Sequence, residues 1–168
     1  MKPLEPPDTH HLKAAEGWLG LGVKDEAHAE LEKINPALRS HPDVVEVRWQ
    51  ILASEEKWQA CLDVANGMLE AEPDNSLGWI WRAYSLRRTA GGGGLLAAQE
   101  CLVHAHAKFP AEFVIPYNLA CYACQLGELR RAREWLKKAC DTSSTTIIKG
   151  MALHDPDLKP LWTEIDEM

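Results

Sequence analysis

The fold is decided by residues 117–140, which read YNLACYACQLGELRRAREWLKKAC. Two helix-forming segments stand on either side of Gly127, a residue type that ends helices and opens turns. In the second segment Ala132, Leu136 and Ala139 are separated by four and three residues, so they share one face of a helix. The stretch therefore predicts two helices joined by a tight turn.

The same pattern of a small, a large and a small residue occurs four times along the chain. Its first position holds Ala27, Cys61, Ala98 and Ala132, at separations of 34, 37 and 34 residues. Its second and third positions hold Leu31, Ala65, Leu102 and Leu136, and then Ile34, Met68, Ala105 and Ala139. The longer interval contains Gly91–Gly94, which we interpret as a loop lengthened by three residues. A period of about 34 residues is typical of helix–turn–helix repeats.

These intervals predict an all-α chain of about four helix pairs in a single domain over residues 1–168. The pairs are expected over residues 8–41, 42–75, 76–112 and 113–141, followed by a C-terminal cap over residues 142–168. Pro42, Pro73 and Pro110 lie within a few residues of the ends of these pairs and support the boundaries. A stacked array needs such a cap because its last apolar face is otherwise open.

The cap and one turn carry more specific expectations. Asp155–Pro156 predicts a helix N-cap followed by proline at the first helical position, with Leu158, Leu161 and Trp162 on the apolar face. The turn before Trp58 contains no glycine, so we expect the first helix of the second pair to be short.

Composition and charge narrow the class of partner. The chain carries 25 acidic and 18 basic residues, a formal net charge of −7, which disfavours nucleic acid and an anionic membrane surface. No apolar run reaches the ~18 residues of a membrane span, and residues 1–8 lack the apolar core of a signal peptide. Five cysteines inside helical patterns favour reduced thiols. We therefore expect a cytoplasmic protein.

The fourth pair resembles the tetratricopeptide repeat (TPR) through Leu119–Ala120, Gly127, Ala132, Leu136 and Ala139. The first pair is similar through the matching positions Ala14–Ala15, Trp18, Gly22 and Ala27, and the resemblance covers residues 8–140. It implies a right-handed α-solenoid of antiparallel helix pairs, whose first helices line a concave groove. Members of this family bind peptides or partner proteins there and rarely catalyse reactions. A protein-interaction scaffold or adaptor is therefore expected, without a named partner.

The predicted groove positions lie between the packing positions of the first helices. The candidates for partner binding are Trp49, Trp81, Tyr84, Arg87, Arg88, Tyr117, Asn118 and Gln125, with Lys13, Glu16, Glu46, Gln50 and Cys121 beside them. Aromatic and arginine side chains are the usual anchors of protein interfaces. The alternative is that the aromatics pack between helices and that Arg87 and Arg88 only complement a helix dipole.

The family's best-known binding mode clamps the terminal carboxylate of a peptide with lysine, asparagine and arginine. In this sequence the corresponding positions are Leu12, Glu16, Trp81, Val114 and Asn118. Only Asn118 fits that mode, so capture of acidic chaperone tails by this mechanism is not expected. Two further hypotheses stay open: a small chaperone of a secretion-system client, and a homo-oligomer in which a neighbouring copy covers the groove.

Residues that could suggest chemistry are better explained by packing. Cys121 and Cys124 form a CxxC motif, but they lie in the middle of a predicted helix, whereas redox pairs lie at helix N-termini. His104 and His106 are two residues apart and point in different directions on a helix. The glycine run Gly91–Gly94 lacks the lysine of a phosphate-binding loop. We expect no catalytic, cofactor or metal-binding residues, and not an enzyme.

Overall fold

Ten α-helices and two 3₁₀ helices, with no strand, make up the regular structure of residues 3–89 and 93–168, the part of the chain that a computed structural model describes. The α-helices are α1 Asp8–Gly20, α2 Lys24–Lys33, α3 Pro42–Ser54, α4 Trp58–Ala71, α5 Ser76–Arg88, α6 Gly94–Lys108, α7 Val114–Gln125, α8 Leu129–Thr142, α9 Thr145–Ala152 and α10 Trp162–Asp166. The 3₁₀ helices are Pro36–Leu38 and Pro156–Leu161. The all-α prediction is confirmed.

The repeated sequence pattern is a packing pattern. All twelve residues at its three positions are buried, and the most exposed of them, Met68, has only 9% of its surface accessible. The small residues let two helices approach closely, and the large ones fill the space between neighbouring turns. The spacing therefore identified the residues on which the helix pairs pack.

The turns inside the helix pairs repeat in the same register. Each places one residue in the left-handed region of the backbone, five positions before the first residue of the packing pattern, and these residues are Gly22, Glu56, Gly93 and Gly127. Glu56 has a φ of 58°, whereas the residue at this position in the other three turns is a glycine. The prediction of a short α3 is therefore wrong: the helix has 13 residues, because a glutamate makes the turn. Gly91 and Gly92 lie outside the described residues, and α6 begins at Gly94.

The chain divides into two compact units, one ending at Pro73 and one beginning at Asp74. That all the repeats form one domain over residues 1–168 therefore stays a prediction. In the first unit, α1 packs on α2 and α3, and α3 packs on α4. Two histidine–glutamate pairs add polar contacts there, His11–Glu30 at 2.8 Å and His28–Glu55 at 3.0 Å. Among the described residues, no helix is long and apolar enough to cross a membrane.

The second unit contains α5 to α10, and its C-terminal cap is part of the core. α7 packs against α6, α8 and the 3₁₀ helix Pro156–Leu161. Asp155 caps that helix as predicted, its side chain accepting a hydrogen bond from the Asp157 backbone amide at 2.9 Å. Leu158, Leu161 and Ile165 are at most 1% exposed, so the cap closes the apolar face of the repeats.

Candidate functional site

One side of the second unit brings together four polar side chains from two helices. Tyr117, Cys121 and Gln125 are four residues apart on α7, so they form a stripe along one side of that helix. Arg87, in the last turn of α5, reaches the same place. All four donate hydrogen bonds to the segment of residues 155–157. We name these four residues the α5/α7 face.

The contacts of the α5/α7 face all end on the two aspartates. Arg87 donates from both Nη atoms to the Asp157 carboxylate, with Nη2 at 2.9 Å from Oδ1. The Tyr117 hydroxyl and the Cys121 thiol both donate to Oδ2 of Asp155, at 3.0 and 3.4 Å. Gln125 Nε2 donates to the Asp157 carbonyl oxygen at 3.3 Å. Two carboxylates and one carbonyl therefore receive every hydrogen bond from this face to residues 155–157.

Burial strengthens these interactions. The side chains of Arg87 and Asp157 are 21% and 22% exposed, so water screens their ion pair only in part. The hydrogen bonds that Arg87 donates to the Asp157 carboxylate raise the pKa of Arg87, which keeps the guanidinium charged. Burial raises the pKa of Tyr117 and of Cys121, and the nearby Asp155 raises both further. The phenol and the thiol are therefore protonated donors at neutral pH.

The structure buries three of the eight predicted groove residues. Trp49 is 9% exposed, Trp81 is 7% exposed and Tyr117 is 6% exposed. These side chains are the packed aromatics of the alternative interpretation, and they offer a partner little surface. Trp49 also lies in the first unit, whereas the other seven candidates lie in the second.

The other predicted residues divide into two groups. Arg87 and Gln125 contact residues 155–157 together with Tyr117. Tyr84, Arg88 and Asn118 are partly exposed. The Arg88 guanidinium carbon lies 3.6 Å from the centroid of the Tyr84 ring, and its Nη1 donates to the Tyr84 carbonyl oxygen at 3.2 Å. This stacked pair holds a cation and an aromatic ring together at the end of α5.

Sequence reasoning missed Asp155 and Asp157 as site residues. The tail was predicted to cap the last repeat, and the pattern Asp155–Pro156 was interpreted only as the start of a helix. The sequence did hold two separate signals, which are a pair of carboxylates two residues apart in the tail and hydrogen-bond donors at every fourth residue of the helix that contains Tyr117. Nothing in the spacing shows that these two stretches meet in the fold.

The residues that suggested chemistry are placed as packing residues. Burial raises the pKa of both Cys121 and Cys124, the opposite of the shift that makes a redox thiol reactive. His104 and His106 contact different tryptophans, with ring centroids 5.2 Å apart in both cases. Among the described residues, no group of three or more metal-binding side chains is assembled. That the chain is not an enzyme stays a prediction.

Comparison with known proteins identifies the fold. No family model matches the sequence, and no curated protein matches it significantly. Among solved structures, a thermophilic TPR protein of Thermus thermophilus is similar, with a TM-score of 0.65 and 20% sequence identity over 94% of this chain and 82% of that one. The chain therefore has the TPR fold, and the predicted resemblance is confirmed at the level of fold.

Proposed function

We propose that this TPR-fold chain is a protein-interaction scaffold that binds a peptide or a partner protein on the side of α5 and α7. The observation that carries the proposal is that this side already holds a short segment of polypeptide, residues 155–157, through side chains of both helices. A surface that holds one polypeptide segment through side-chain donors is suited to hold another. Repeat folds commonly use their helices in this way.

The stacked pair Tyr84–Arg88 is the anchor that we propose for a partner. Both side chains are partly exposed, and they lie in the last two turns of α5, beside Arg87. Tyrosine and arginine dominate the energetics of protein interfaces, because each combines a large apolar surface with directed hydrogen bonds. The stacking of the guanidinium on the ring holds both in place, which lowers the entropy lost on binding. Asn118 on α7, also partly exposed, adds a polar contact.

The charge and the cysteines set the class of partner and the compartment that we propose. A net charge of −7 opposes binding to nucleic acid and to anionic membranes, so a protein partner is favoured. The five cysteines are all free thiols, which fits a reducing, cytoplasmic compartment.

The proposal is tested by affinity capture from a native lysate. Three proteins are compared: the wild type, the double variant Tyr84→Ala/Arg88→Ala, and the control Arg130→Ala. Arg130 lies on α8 with 92% of its side chain exposed, so its replacement removes an arginine without touching the proposed surface. Circular dichroism confirms that each protein is folded, and mass spectrometry identifies the captured proteins.

We expect one protein to be retained by the wild type and by Arg130→Ala, and lost from the double variant. Equal retention by all three would place binding on another part of the chain and contradict the proposed surface. Capture of nothing beyond copies of this chain would contradict a separate partner and favour the homo-oligomer hypothesis.

A further inference from the structure

We propose that a cavity beside α3 and α4 in the first unit binds a small organic anion, which carries its charge at one end of an apolar body. The cavity has a volume of about 460 Å³, which is in the range of small-molecule sites. All the residues that line it belong to the first unit, whereas the α5/α7 face belongs to the second. This site is therefore additional to the partner surface proposed above.

Most of the cavity wall is apolar. Val45 on α3 and Val64 and Met68 on α4 line it, together with the first residue of α3, Pro42, and the last residue of α4, Ala71. An apolar body that enters this space leaves water, which supplies the main favourable part of the free energy of binding. The wall therefore selects a ligand with an aromatic or aliphatic body.

Gly67 leaves part of the cavity open. It lies inside α4 and shares a helix face with Val64 and Ala71, which are three residues before it and four after it. A Cβ built on Gly67 meets no atom within 4 Å, so no close approach of the backbone requires glycine at this position. A larger side chain at residue 67 is therefore expected to take up space that the ligand would otherwise use.

The arginines of the cavity determine the charge of the ligand. Arg39 and Arg48 both line it, and both contact a single carboxylate, that of Glu32, whose side chain is 54% exposed. All three guanidinium nitrogens of Arg39 contact the C-terminal end of α2. Arg48 donates only from Nη2, at 3.3 Å from Glu32 Oε1, and its other nitrogens have no hydrogen-bond partner among residues 3–89 and 93–168. Arg48 can therefore bind a second carboxylate.

The positions of the charges along the cavity set the orientation of the ligand. Helices joined by a tight turn run antiparallel, so Glu72, which follows α4, lies near the start of α3. Arg48 lies six residues beyond Pro42 on α3, which is ~9 Å along the helix axis. Because Glu72 repels an anion at its own end, the anionic group of the ligand binds at Arg48 and the apolar body extends toward Ala71.

The test measures binding of 3-phenylpropionate to the purified full chain by NMR, as the change in the methyl signal of Met68. The uncharged probe 3-phenylpropionamide has the same body and serves as the control for charge. Two variants alter the cavity: Gly67→Leu fills it, and Arg48→Gln removes the cation. The matched control Gly17→Leu adds the same side chain to α1, where a Cβ also meets no atom within 4 Å, outside the cavity wall.

We expect 3-phenylpropionate to shift the Met68 signal of the wild type and of Gly17→Leu, with saturation in the millimolar range that suits a ligand of few atoms. Gly67→Leu and Arg48→Gln are each expected to weaken binding at least about tenfold, and the amide is expected to bind the wild type at least about tenfold more weakly than the acid. No saturating shift in the wild type would overturn the proposal.

Two further outcomes would also contradict this site. Equal affinity of the folded Gly67→Leu variant and the wild type would show that the probe binds elsewhere on the chain. Equal affinity of the acid and the amide would show that Arg48 does not select an anion. The comparison of the two probes uses only the wild type, so it decides the matter even if a variant does not fold.

Discussion

At the scale of single residues, Cys121 shows how burial decides the role of a reactive side chain. The residue is only 2% exposed, and its thiol donates a hydrogen bond to Asp155. Burial and the negative charge of Asp155 both oppose ionisation of the thiol. A thiolate at this position would face a carboxylate in a medium that solvates charge poorly. The CxxC motif is therefore a pair of small packing residues, one of which also holds the C-terminal segment.

The thiols provide a direct prediction at this scale. Four cysteines are buried, and Cys140 is partly exposed. Burial raises the pKa of every one of the five, that of Cys61 to about 11. With a chromogenic aryl disulfide under native conditions at mildly alkaline pH, we expect about one thiol per chain to react readily, because access and thiolate content together set the rate.

The residue that reacts is identified with one variant and one denatured control. Cys140→Ser is expected to remove the fast phase, and denaturant is expected to release all remaining thiols at once. A fast phase that survives in Cys140→Ser and disappears in Cys124→Ser would contradict the packing role of the CxxC motif.

At the scale of elements, the helix pairs could be predicted because their packing is local. The small and large residues of each return helix lie within one helix, so their spacing is directly visible in the sequence. The length of α3 could not be predicted in this way. Its end depends on Glu56 adopting a left-handed backbone, and glutamate is not a residue type that indicates that conformation.

The strained turn at Glu56 leads to a stability prediction. Replacing Glu56 by glycine removes the clash between Cβ and the backbone while keeping the turn, although glycine also gives the unfolded chain more freedom. We expect Glu56→Gly to raise the free energy of unfolding by about 1 kcal/mol, measured by urea denaturation.

The matched control for this prediction is the equivalent turn in the first helix pair. Gly22 has a φ of 76°, and a Cβ built there meets no atom within 4 Å. Gly22→Ala is therefore expected to cost about 1 kcal/mol from backbone strain alone. If Glu56→Gly destabilised the chain by as much as Gly22→Ala, the left-handed position would not be the determinant of this turn.

At the scale of the whole molecule, the place where the tail packs is the part of the site that could not be predicted from the sequence. Asp157 meets Arg87 across 70 residues, and Asp155 meets Tyr117 across 38. Helical spacing predicts which side of α7 carries the donors, but it contains no information on which distant segment covers them. The same limit explains why Trp81 was predicted in an exposed groove although it is buried.

Three titrating groups in the two units give the molecule its expected response to acid. Hydrogen bonds from Lys33 and His11 lower the pKa of Glu30, and one from His28 contributes most to lowering that of Glu55, both below the ordinary value of 4.5. The stability from these carboxylates is present above pH 4.5 and is lost as the pH falls through their lowered pKa values. Burial lowers the pKa of His106 below its ordinary value of 6.5. The stability that depends on a neutral His106 is therefore fully present above pH 6.5 and is lost as the pH falls below it.

We therefore expect the melting temperature to fall in two windows as the pH is lowered, the first beginning near 6.5 and the second near 4.5. The first fall arises because the unfolded chain binds a proton on His106 that the folded chain disfavours. His106→Asn should therefore reduce the fall in melting temperature near pH 6.5 and leave the fall near pH 4.5 unchanged. Glu30→Gln/Glu55→Gln should flatten the second window alone. Scanning calorimetry of the wild type and both variants between pH 8 and pH 3.5 tests this prediction. If the melting temperature fell with the same slope below pH 6.5 in the wild type and in His106→Asn, His106 would be solvated in the folded chain and the prediction would be contradicted.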